Sequence, residues 1–412
     1  YYGAKAIREN DPDGTIAVYS EHGYSPYNPM LTTYYVAGKI PFEGLFPFGD
    51  MEKIRQELRL EVHTGARVEK VEARSRTVRL ENGESRQFDK ILIATGAMER
   101  PVPLPGWTLP GVLGAGAADV LLKSASMLPE GPVVLCGNGP LILQTVVHLK
   151  HFGIPIAGVA LTDSLASLFK AALRMPGALL RPQYLLHGMG MGLRTFFGAP
   201  CHPAAKDVSI RRDGETLTVD FTSFGKRKSL QGTAVLLHEG VVPETRITRL
   251  ARCRHAWNPR QRYWHVETDV WGKTNVCGIR VAGDSAGVRG ADAAIASGEA
   301  VALDICRELG ALTLETRDSL AKAALFRLYR CDAMQPFMET FFPPARRRRR
   351  GVPLRGTDRR GTAPDHRGRV LLPRRAQVAG PPGHGHLSGP DVFRRRSRND
   401  RPRARPAHRD AA

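Results

Sequence analysis

The sequence has few cysteines, and none of them are paired in a motif: the six are scattered, with no C-x-x-C among them. This distribution argues against a disulfide framework and predicts reduced thiols in a cytoplasmic protein. No apolar run reaches the roughly 18 residues that a membrane-spanning helix needs, so we expect no membrane span. No secretory signal peptide is visible. Because the chain begins with tyrosine rather than methionine, we expect its natural start to be missing.

Lysine is absent from the last 67 residues, where arginine dominates. Residues 346–412 hold 20 Arg and 5 Asp, a net charge of +15 out of +20 for the whole chain. Residues 1–345 hold 40 basic and 35 acidic residues, a net charge of +5. The body therefore has the composition of a mildly basic globular protein, long enough for about two domains.

The N-terminal segment is typical of part of a dinucleotide-binding unit. "YYGAKAIREN" predicts the second half of a helix, and Thr15–Ser20 predicts a β-branched strand that ends at Glu21. In a Rossmann unit an acidic residue at this position bonds a ribose hydroxyl, about 20 residues after a glycine loop. Here the first strand and its G-x-G-x-x-G are missing. Glu21 is either the ribose partner or a solvated loop acid.

"FDKILIATGAMERPVPLPG" predicts a buried strand that runs into a sharp turn. The strand covers residues 91–94 and ends at Ala94. Thr95 and Gly96 form the turn that follows. Glycine lets the backbone turn closely beside a bound cofactor. Three prolines then mark a linker.

"GPVVLCGNGPLILQTVVHLKHFG" predicts a second strand–turn–helix unit. Residues 132–136 form the strand, Gly137, Asn138 and Gly139 the tight turn, and the helix follows from residue 141. Backbone N–H groups at such a turn can approach a phosphate. Ile142 stands where G-x-G-x-x-G has its third glycine, so helix–strand packing must differ here. The alternative is a βα turn that binds nothing.

"TNVCGIRVAGDSAGVRGADAAIASGEAVALDI" is the most specific motif. A short strand over 278–282 ends in Gly283 and Asp284, and a helix of small residues follows. In flavin-binding folds such an aspartate bonds the ribityl chain, and the helix N-terminus faces the cofactor. Small residues over 291–300 would allow a close approach to the cofactor. The alternative is an alanine-rich packing helix.

The order of these motifs resembles that of the pyridine nucleotide–disulfide oxidoreductase superfamily. The resemblance implies an α/β fold with two Rossmann-like dinucleotide-binding domains, in which a split FAD domain encloses a second nucleotide domain. The redox cysteine pair of the disulfide reductases is absent, which argues against disulfide reduction. The expected divisions are 1–106 for the first part of the FAD domain, 107–234 for the inserted NAD(P)-type domain, 235–310 for the second part of the FAD domain, 311–344 for a helical segment and 345–412 for a tail.

Four stretches carry a narrower resemblance: "ATGAMERPVPLPGWTLPGVLGAGAADVLLKS", "GPVVLCGNGPLIL", "LLHEGVVPETRITR" and "VAGDSAGVRGADAA". They are similar to the nucleotide-binding α subunits of opine oxidases, hydrogen cyanide synthases and dye-linked proline or hydroxyproline dehydrogenases. This implies FAD, a second nucleotide that is NAD(P) or another adenine nucleotide, and a flavoprotein β subunit of the glycine/D-amino-acid oxidase type that oxidises the amine. The α subunit would pass the electrons to an acceptor. Such subunits often carry a [2Fe–2S] module, whose cysteine motifs are absent here.

The arginine-rich tail stands where that module would be. When "GVPLRGTDRRG" and "PGHGHLSGPDVF" are back-translated and read one nucleotide later, the degenerate codons permit V-C-R-C-E-E-L-T-A-G and R-G-M-G-T-C-Q-G-R-M-C. Both are cluster motifs, so we interpret the tail as a frameshift product and expect it to be disordered. The rival interpretation is a basic arm that binds nucleic acid. With one Phe and no Tyr, Trp or Lys, the composition argues against it.

No constellation for hydrolysis and no metal-ligand cluster is visible, and the catalytic residues cannot be named from the sequence. Two further functions stay open. One is a stand-alone NAD(P)H-dependent flavin reductase that serves a rubredoxin- or ferredoxin-like acceptor. The other is an inactive scaffold that only binds a partner.

Overall fold

The structure is a computed structural model that describes residues 1–23, 41–46, 48–118, 121, 127–163, 165–344 and 393–395. Apart from residues 393–395, the tail over 345–412 lies outside this part of the chain. Disorder of the tail therefore stays a prediction, because it concerns residues that the structure does not describe.

The N-terminal part of the chain forms short helices and strands. Their bounds are α1 Tyr2–Asn10, β1 Ile16–Ser20, a 3-10 turn Phe42–Leu45, α2 Met51–Glu57, β2 Leu60–Thr64, β3 Val68–Glu72, β4 Thr77–Leu80, β5 Ser85–Gln87, β6 Ile91–Ile93 and β7 Ala97–Glu99. The sequence explains local features of these elements: the Asp50 side chain caps α2 by accepting a hydrogen bond from the Lys53 N–H, as expected at a helix N-terminus.

The middle part holds β8 Val112–Gly114, β9 Met127–Pro129, β10 Val133–Asn138, α3 Pro140–His151, β11 Ile156–Leu161, α4 Leu165–Ala172, α5 Met175–Ala178, α6 Pro182–Gly198, β12 Cys201–His202, β13 Lys206–Asp213, β14 Thr216–Ser223, β15 Lys226–Gly232 and β16 Ala234–Glu239. The rest holds β17 Val241–Pro243, α7 Arg246–Leu250, β18 His255–Asn258, β19 Tyr263–Val266, β20 Ile279–Val281, a 3-10 turn Gly283–Ser285, α8 Ala291–Glu308, α9 Leu314–Phe341 and β21 Phe393–Arg395.

The inserted domain is built on a parallel sheet with strand order β12-β11-β10-β16-β8. Successive residues of β10 point to opposite faces. Val133 and Leu135 pack with α3 on one face, and Val134 and Cys136 pack with the antiparallel sheet β13–β15 on the other. Both faces are covered, which explains the unbroken apolar run of the sequence.

Strand β16 belongs to this same sheet, because residues 234–239 pair in parallel with residues 133–138 of β10. The five-stranded parallel sheet thus reaches Glu239, and the division expected at residue 234 stays a prediction. The sequence shows only a buried strand here. Which sheet the strand joins depends on its hydrogen-bond partners.

The first domain holds two separate parallel strand pairs, β1–β2 and β6–β20. Helix α1 contacts both: Ala4 joins the core cluster of Ile16 and Leu60, and a Cβ at Gly3 would meet Leu92 of β6 at 3.4 Å. All residues of β1 are half-buried. Within the described residues, the sheet is open between β1 and β6.

Helix α9 packs on α8 and on the helices that follow β11. Thr313 caps its first turn by accepting a hydrogen bond from the Thr316 N–H, and Pro336 lies inside it. No helix in the described ranges is long and apolar enough to cross a membrane. The alternation of parallel strands with helices confirms the α/β prediction.

Candidate functional site

The first candidate site lies where β6 and β20 end. The two strands run parallel, with Ile93 paired to Val281, and the Ala282 N–H donates to the Ile93 carbonyl at 3.1 Å. Their carboxyl ends therefore meet at one edge. This edge brings together the two predicted segments, residues 94–96 and residues 283–284, although they are far apart in the sequence.

The turn after β6 is held by the chain that returns from the inserted domain. The Glu244 N–H donates to the Gly96 carbonyl at 3.0 Å, and the Thr95 hydroxyl donates to the Glu244 carbonyl at 3.4 Å. Gly96 has a φ of +70°, and a Cβ there would meet no atom within 4 Å. The turn thus has open space beside it.

Glu21 lies near the same edge. It follows β1 directly and is exposed. The Glu244 carboxylate pairs with Arg246 at 3.0 Å. The hydrogen bond and charge of Glu244 raise the pKa of Arg246, and the charge of Glu21 raises it further. Glu21 is therefore within electrostatic reach of Arg246, and its role as a ribose partner stays a prediction.

Asp284 lies in the 3-10 turn after β20. Its Oδ1 accepts hydrogen bonds from the Arg289 N–H at 2.9 Å and the Gly290 N–H at 3.2 Å. Gly283 has a φ of +72°, and its N–H donates to the Ser297 hydroxyl at 2.7 Å. The carboxylate is thus fixed beside the N-terminus of α8, whose N-terminal amides carry positive partial charge.

More of the small residues of α8 take part in helix packing than the sequence suggested. Ala293, Ala296 and Ala300 are buried in one cluster with Ala324 and Leu328 of α9. They therefore pack against α9, as the packing-helix alternative holds.

The second candidate site is the turn between β10 and α3. Strand β10 continues through Gly137 and Asn138, so the turn is tighter than predicted: Gly139 alone precedes α3, which begins at Pro140. Gly137 pairs with His238 of β16, and a Cβ there would lie 1.7 Å from the His238 carbonyl oxygen. The glycine at 137 is thus required by contact between two strands.

Asn138 faces the end of α9. Its side chain is 1% exposed, and its Nδ2 donates to the Pro343 carbonyl at 2.7 Å. Its Oδ1 is buried without a hydrogen-bond partner among the described residues. Buried polar atoms normally have a partner. This oxygen is therefore an open acceptor beside the turn.

A cluster of polar side chains lies next to this turn. His238 Nδ1 lies 2.7 Å from the Glu99 carboxylate, which also accepts hydrogen bonds from the Gly116 N–H at 3.1 Å. Glu239 accepts a hydrogen bond from the Thr162 hydroxyl at 2.9 Å. Glu99, His238 and Glu239 were not indicated by any motif of the sequence. For the last two, a signal was available, because a buried strand ends in two polar residues in "LLHEG".

Asp163 lies two residues beyond β11, at the same edge as the turn. Burial raises its pKa to about 7, and the negative charge of Glu239 contributes to the rise. Its Oδ1 is buried without a partner in the part of the chain that the structure describes. An acid at the end of this strand is where a ribose partner is expected.

The raised pKa of Asp163 gives a prediction on stability. An acid whose pKa is higher in the folded state destabilises the fold as pH rises from its unfolded pKa to its folded pKa. Asp163→Asn is therefore expected to increase the free energy of unfolding at pH 8 by about 2 kcal/mol, with little change at pH 4, near the unfolded pKa. Thermal unfolding at both pH values measures this. The exposed Asp213→Asn is the control, and an equal effect of Asp163→Asn at both pH values would contradict the assignment.

Among the described residues, no group of three or more His, Cys, Asp or Glu side chains is placed to hold a metal ion.

Comparison with known proteins identifies the family. A sequence profile of the pyridine nucleotide-disulphide oxidoreductases matches residues 1–300. An opine oxidase subunit from Agrobacterium tumefaciens is 37% identical over 260 residues, which is 63% of this chain and 51% of that protein. Hydrogen cyanide synthase subunit HcnB of Pseudomonas aeruginosa is 29% identical over 258 residues, 59% of this chain and 55% of that protein. The chain spans about half the length of the curated relatives it matches.

The fold is shared with solved structures. The ferredoxin reductase for the CYP199A2 system from Rhodopseudomonas palustris has a TM-score of 0.54 at 18% identity, covering 74% of this chain and 72% of that chain. At this identity the likeness concerns the fold alone.

Proposed function

The chain belongs to the pyridine nucleotide-disulphide oxidoreductase family, and on that premise we propose that it is the FAD-holding subunit of a multi-subunit oxidoreductase. The observation that carries the proposal is the edge formed by β6 and β20. There the Ala94–Gly96 turn and the Gly283–Asp284 turn meet. These are the segments from which a flavin site of this family is built.

The residues present fit the flavin end of FAD. Added Cβ atoms at Gly96, Gly287 and Gly290 would meet nothing within 4 Å, so there is room beside both turns. Asp284 holds a carboxylate at the N-terminus of α8 and would accept a hydrogen bond from the ribityl chain. Glu21 would bond the ribose. Bound FAD would accept an electron pair and pass it on. The chain would orient the flavin and set the charge around it.

The second turn is proposed to hold NAD(P) or another adenine nucleotide. Gly137, Asn138 and Gly139 place backbone N–H groups and the N-terminus of α3 where a phosphate could bind. Asp163 would bond the ribose. The acids Asp163 and Glu239 favour an unphosphorylated ribose, since a 2′-phosphate would meet negative charge there.

The partner is proposed from the relatives, which are named as subunits. A flavoprotein β subunit of the glycine/D-amino-acid oxidase type would oxidise an amino acid or opine, and this chain would carry the electrons onward. A [2Fe–2S] cluster would serve as the exit in such complexes. Its ligands are not encoded in this sequence as it is read.

Asp284 provides the test of the flavin site. The purified full chain is expected to take up FAD, followed by flavin absorbance and by quenching of flavin fluorescence. Asp284→Asn keeps an acceptor for the loop amides but removes the charge, so the Kd for FAD should rise about tenfold or more. Asp318→Asn, which changes an exposed carboxylate on α9, serves as the control. A wild-type chain that binds no FAD would contradict the proposal and favour the scaffold.

Reduction of the flavin by NADH distinguishes the proposed subunit from the remaining alternative function. Addition of NADH to the FAD-loaded chain is expected to leave most of the flavin oxidised, because the proposed electron source is the partner subunit. Rapid bleaching of the flavin without a partner would instead favour a stand-alone NAD(P)H-dependent flavin reductase.

A further inference from the structure

Helices α4, α5 and α6, which follow β11, expose many large apolar side chains. Phe169 of α4 is 77% exposed and Leu173, directly after α4, is 82% exposed. Leu186 and Phe197 of α6 are 67% and 87% exposed. Folded proteins rarely expose large contiguous apolar surfaces unless something binds there. This surface is not used by either nucleotide site.

Five exposed Leu, Met and Phe side chains of α6 form one stripe. They follow one another at intervals of three, four, three and one residues. The five are Leu186, Met189, Leu193, Phe196 and Phe197. At 3.6 residues per turn this spacing places them on one side of the helix. The amphipathic pattern of α6 thus points outward, whereas a helix of this pattern usually turns its stripe to the core.

The inner sides of the three helices are already covered. Ala171 of α4, Ala178 of α5 and Leu185 of α6 pack in one cluster with Met334 and Phe337 of α9. The exposed sides of α4 and α6 are therefore turned away from α9. The exposed apolar side chains of α4 and α6 are what we call the outer face.

The charge of this segment has one sign. Residues 164–206 contain five basic residues and no aspartate or glutamate. Lys170, Arg174 and Arg194 are exposed. Arg181 is buried and pairs with Asp292 of α8, so it does not contribute to the outer face. The surface offers apolar side chains and cations, and the segment brings no carboxylate to it.

We propose that the outer face of α4 and α6 binds to an anionic phospholipid surface. Phe and Leu side chains on one side of a helix enter the boundary between headgroups and acyl chains, while Lys and Arg reach the phosphates. A segment without carboxylates meets no repulsion from anionic headgroups. A protein interface usually has a polar rim, whereas every charged residue of this segment is basic. The inference does not depend on FAD or on the partner subunit.

Vesicle flotation tests the proposal with the full chain. The protein is mixed with vesicles of phosphatidylcholine alone or with added phosphatidylglycerol, at low and at high salt. Salt screens the contribution of the arginine-rich tail, which is the same in every variant. We expect binding to the anionic vesicles, with a fraction that survives high salt because it rests on apolar burial.

The variant Leu186→Gln/Leu193→Gln/Phe197→Gln is expected to lose the salt-resistant fraction at least tenfold. The control Leu250→Gln/Val270→Gln/Phe326→Gln removes three apolar side chains that are also exposed but lie elsewhere in the fold, and it should bind like the wild type. Thermal unfolding verifies that both fold. Should the triple variant not fold, Phe197→Gln alone replaces it, with a smaller loss.

Three results would overturn the proposal. The wild type could bind neither kind of vesicle, or the stripe variant could bind as well as the wild type. Alternatively, the wild type could ignore vesicles but self-associate in solution, with the stripe variant monomeric. The last result would show that the outer face is a contact between copies of this chain.

Discussion

Replacing Asp304 with asparagine is expected to lower the free energy of unfolding by about 3–5 kcal/mol at neutral pH, because a buried charge pair loses one partner. Asp304 is fully buried in α8. It accepts hydrogen bonds from Arg317 at 2.6 Å, Arg280 at 2.9 Å and Arg307 at 2.9 Å. Arg280 and Arg317 are themselves buried. Without the carboxylate, Arg280 would keep only Glu308 and Arg317 only Asp318 as charge partners among the described residues, and both of those acids are partly exposed.

The pKa of Asp304 gives the sign of the pH dependence. Burial alone would raise this pKa, but the hydrogen bonds from Arg307 and Arg317 and the charges of Lys273 and Arg280 outweigh it and lower the pKa. A carboxyl whose pKa is lower in the folded state adds stability above its unfolded pKa and loses it as pH falls through its folded pKa. The difference between wild type and Asp304→Asn should therefore shrink in acid.

Chemical denaturation across pH measures both effects. Asp318→Asn is the control, because Asp318 also pairs with Arg317 but is largely exposed. We expect it to cost less than about 1 kcal/mol. If the two variants were equally destabilised, the buried network would not be the cause.

Gly137→Ala is expected to destabilise the inserted domain by about 4 kcal/mol. The added Cβ would lie 1.7 Å from the His238 carbonyl oxygen and 3.0 Å from its backbone nitrogen. The φ of +139° is also one that residues with a side chain rarely adopt. Strands β10 and β16 would have to separate at the centre of a sheet.

Gly188→Ala tests whether the effect is specific to that position. Gly188 lies inside α6, and a Cβ there would meet nothing within 4 Å. Alanine should therefore stabilise the helix by roughly 0.5–1 kcal/mol. Urea unfolding of both variants is the measurement, and a mild effect of Gly137→Ala would contradict the close contact with β16.

Much of the local structure could be predicted. The apolar run at 133–136 is a strand buried on both faces. The strand before Thr95 and Gly96 and the strand before Gly283 are both present. Each prediction rests on residues that are neighbours in the sequence, where periodicity and turn residues carry the signal.

What the sequence did not indicate is the packing and hydrogen-bond partner of each residue. The alanines of α8 pack largely on α9, Gly137 is required by β16, and Asn138 bonds the end of α9. None of these contacts leaves a local pattern. The apolar stripe of α6 shows the same limit: spacing predicts which residues share a face, but not whether that face is covered.

The sequence by itself determined the α/β class, the order of the nucleotide-binding motifs and the family. This is possible because glycine turns and buried strands are each encoded by a short stretch of sequence. Only the tertiary structure decided that the turn at Gly96 meets Asp284, that Asp163 lies close to Glu239, and that the outer face of α4 and α6 is exposed. These depend on strand pairing and helix packing between distant parts of the chain. Such contacts are selected by the free energy of the whole fold, which no single stretch contains.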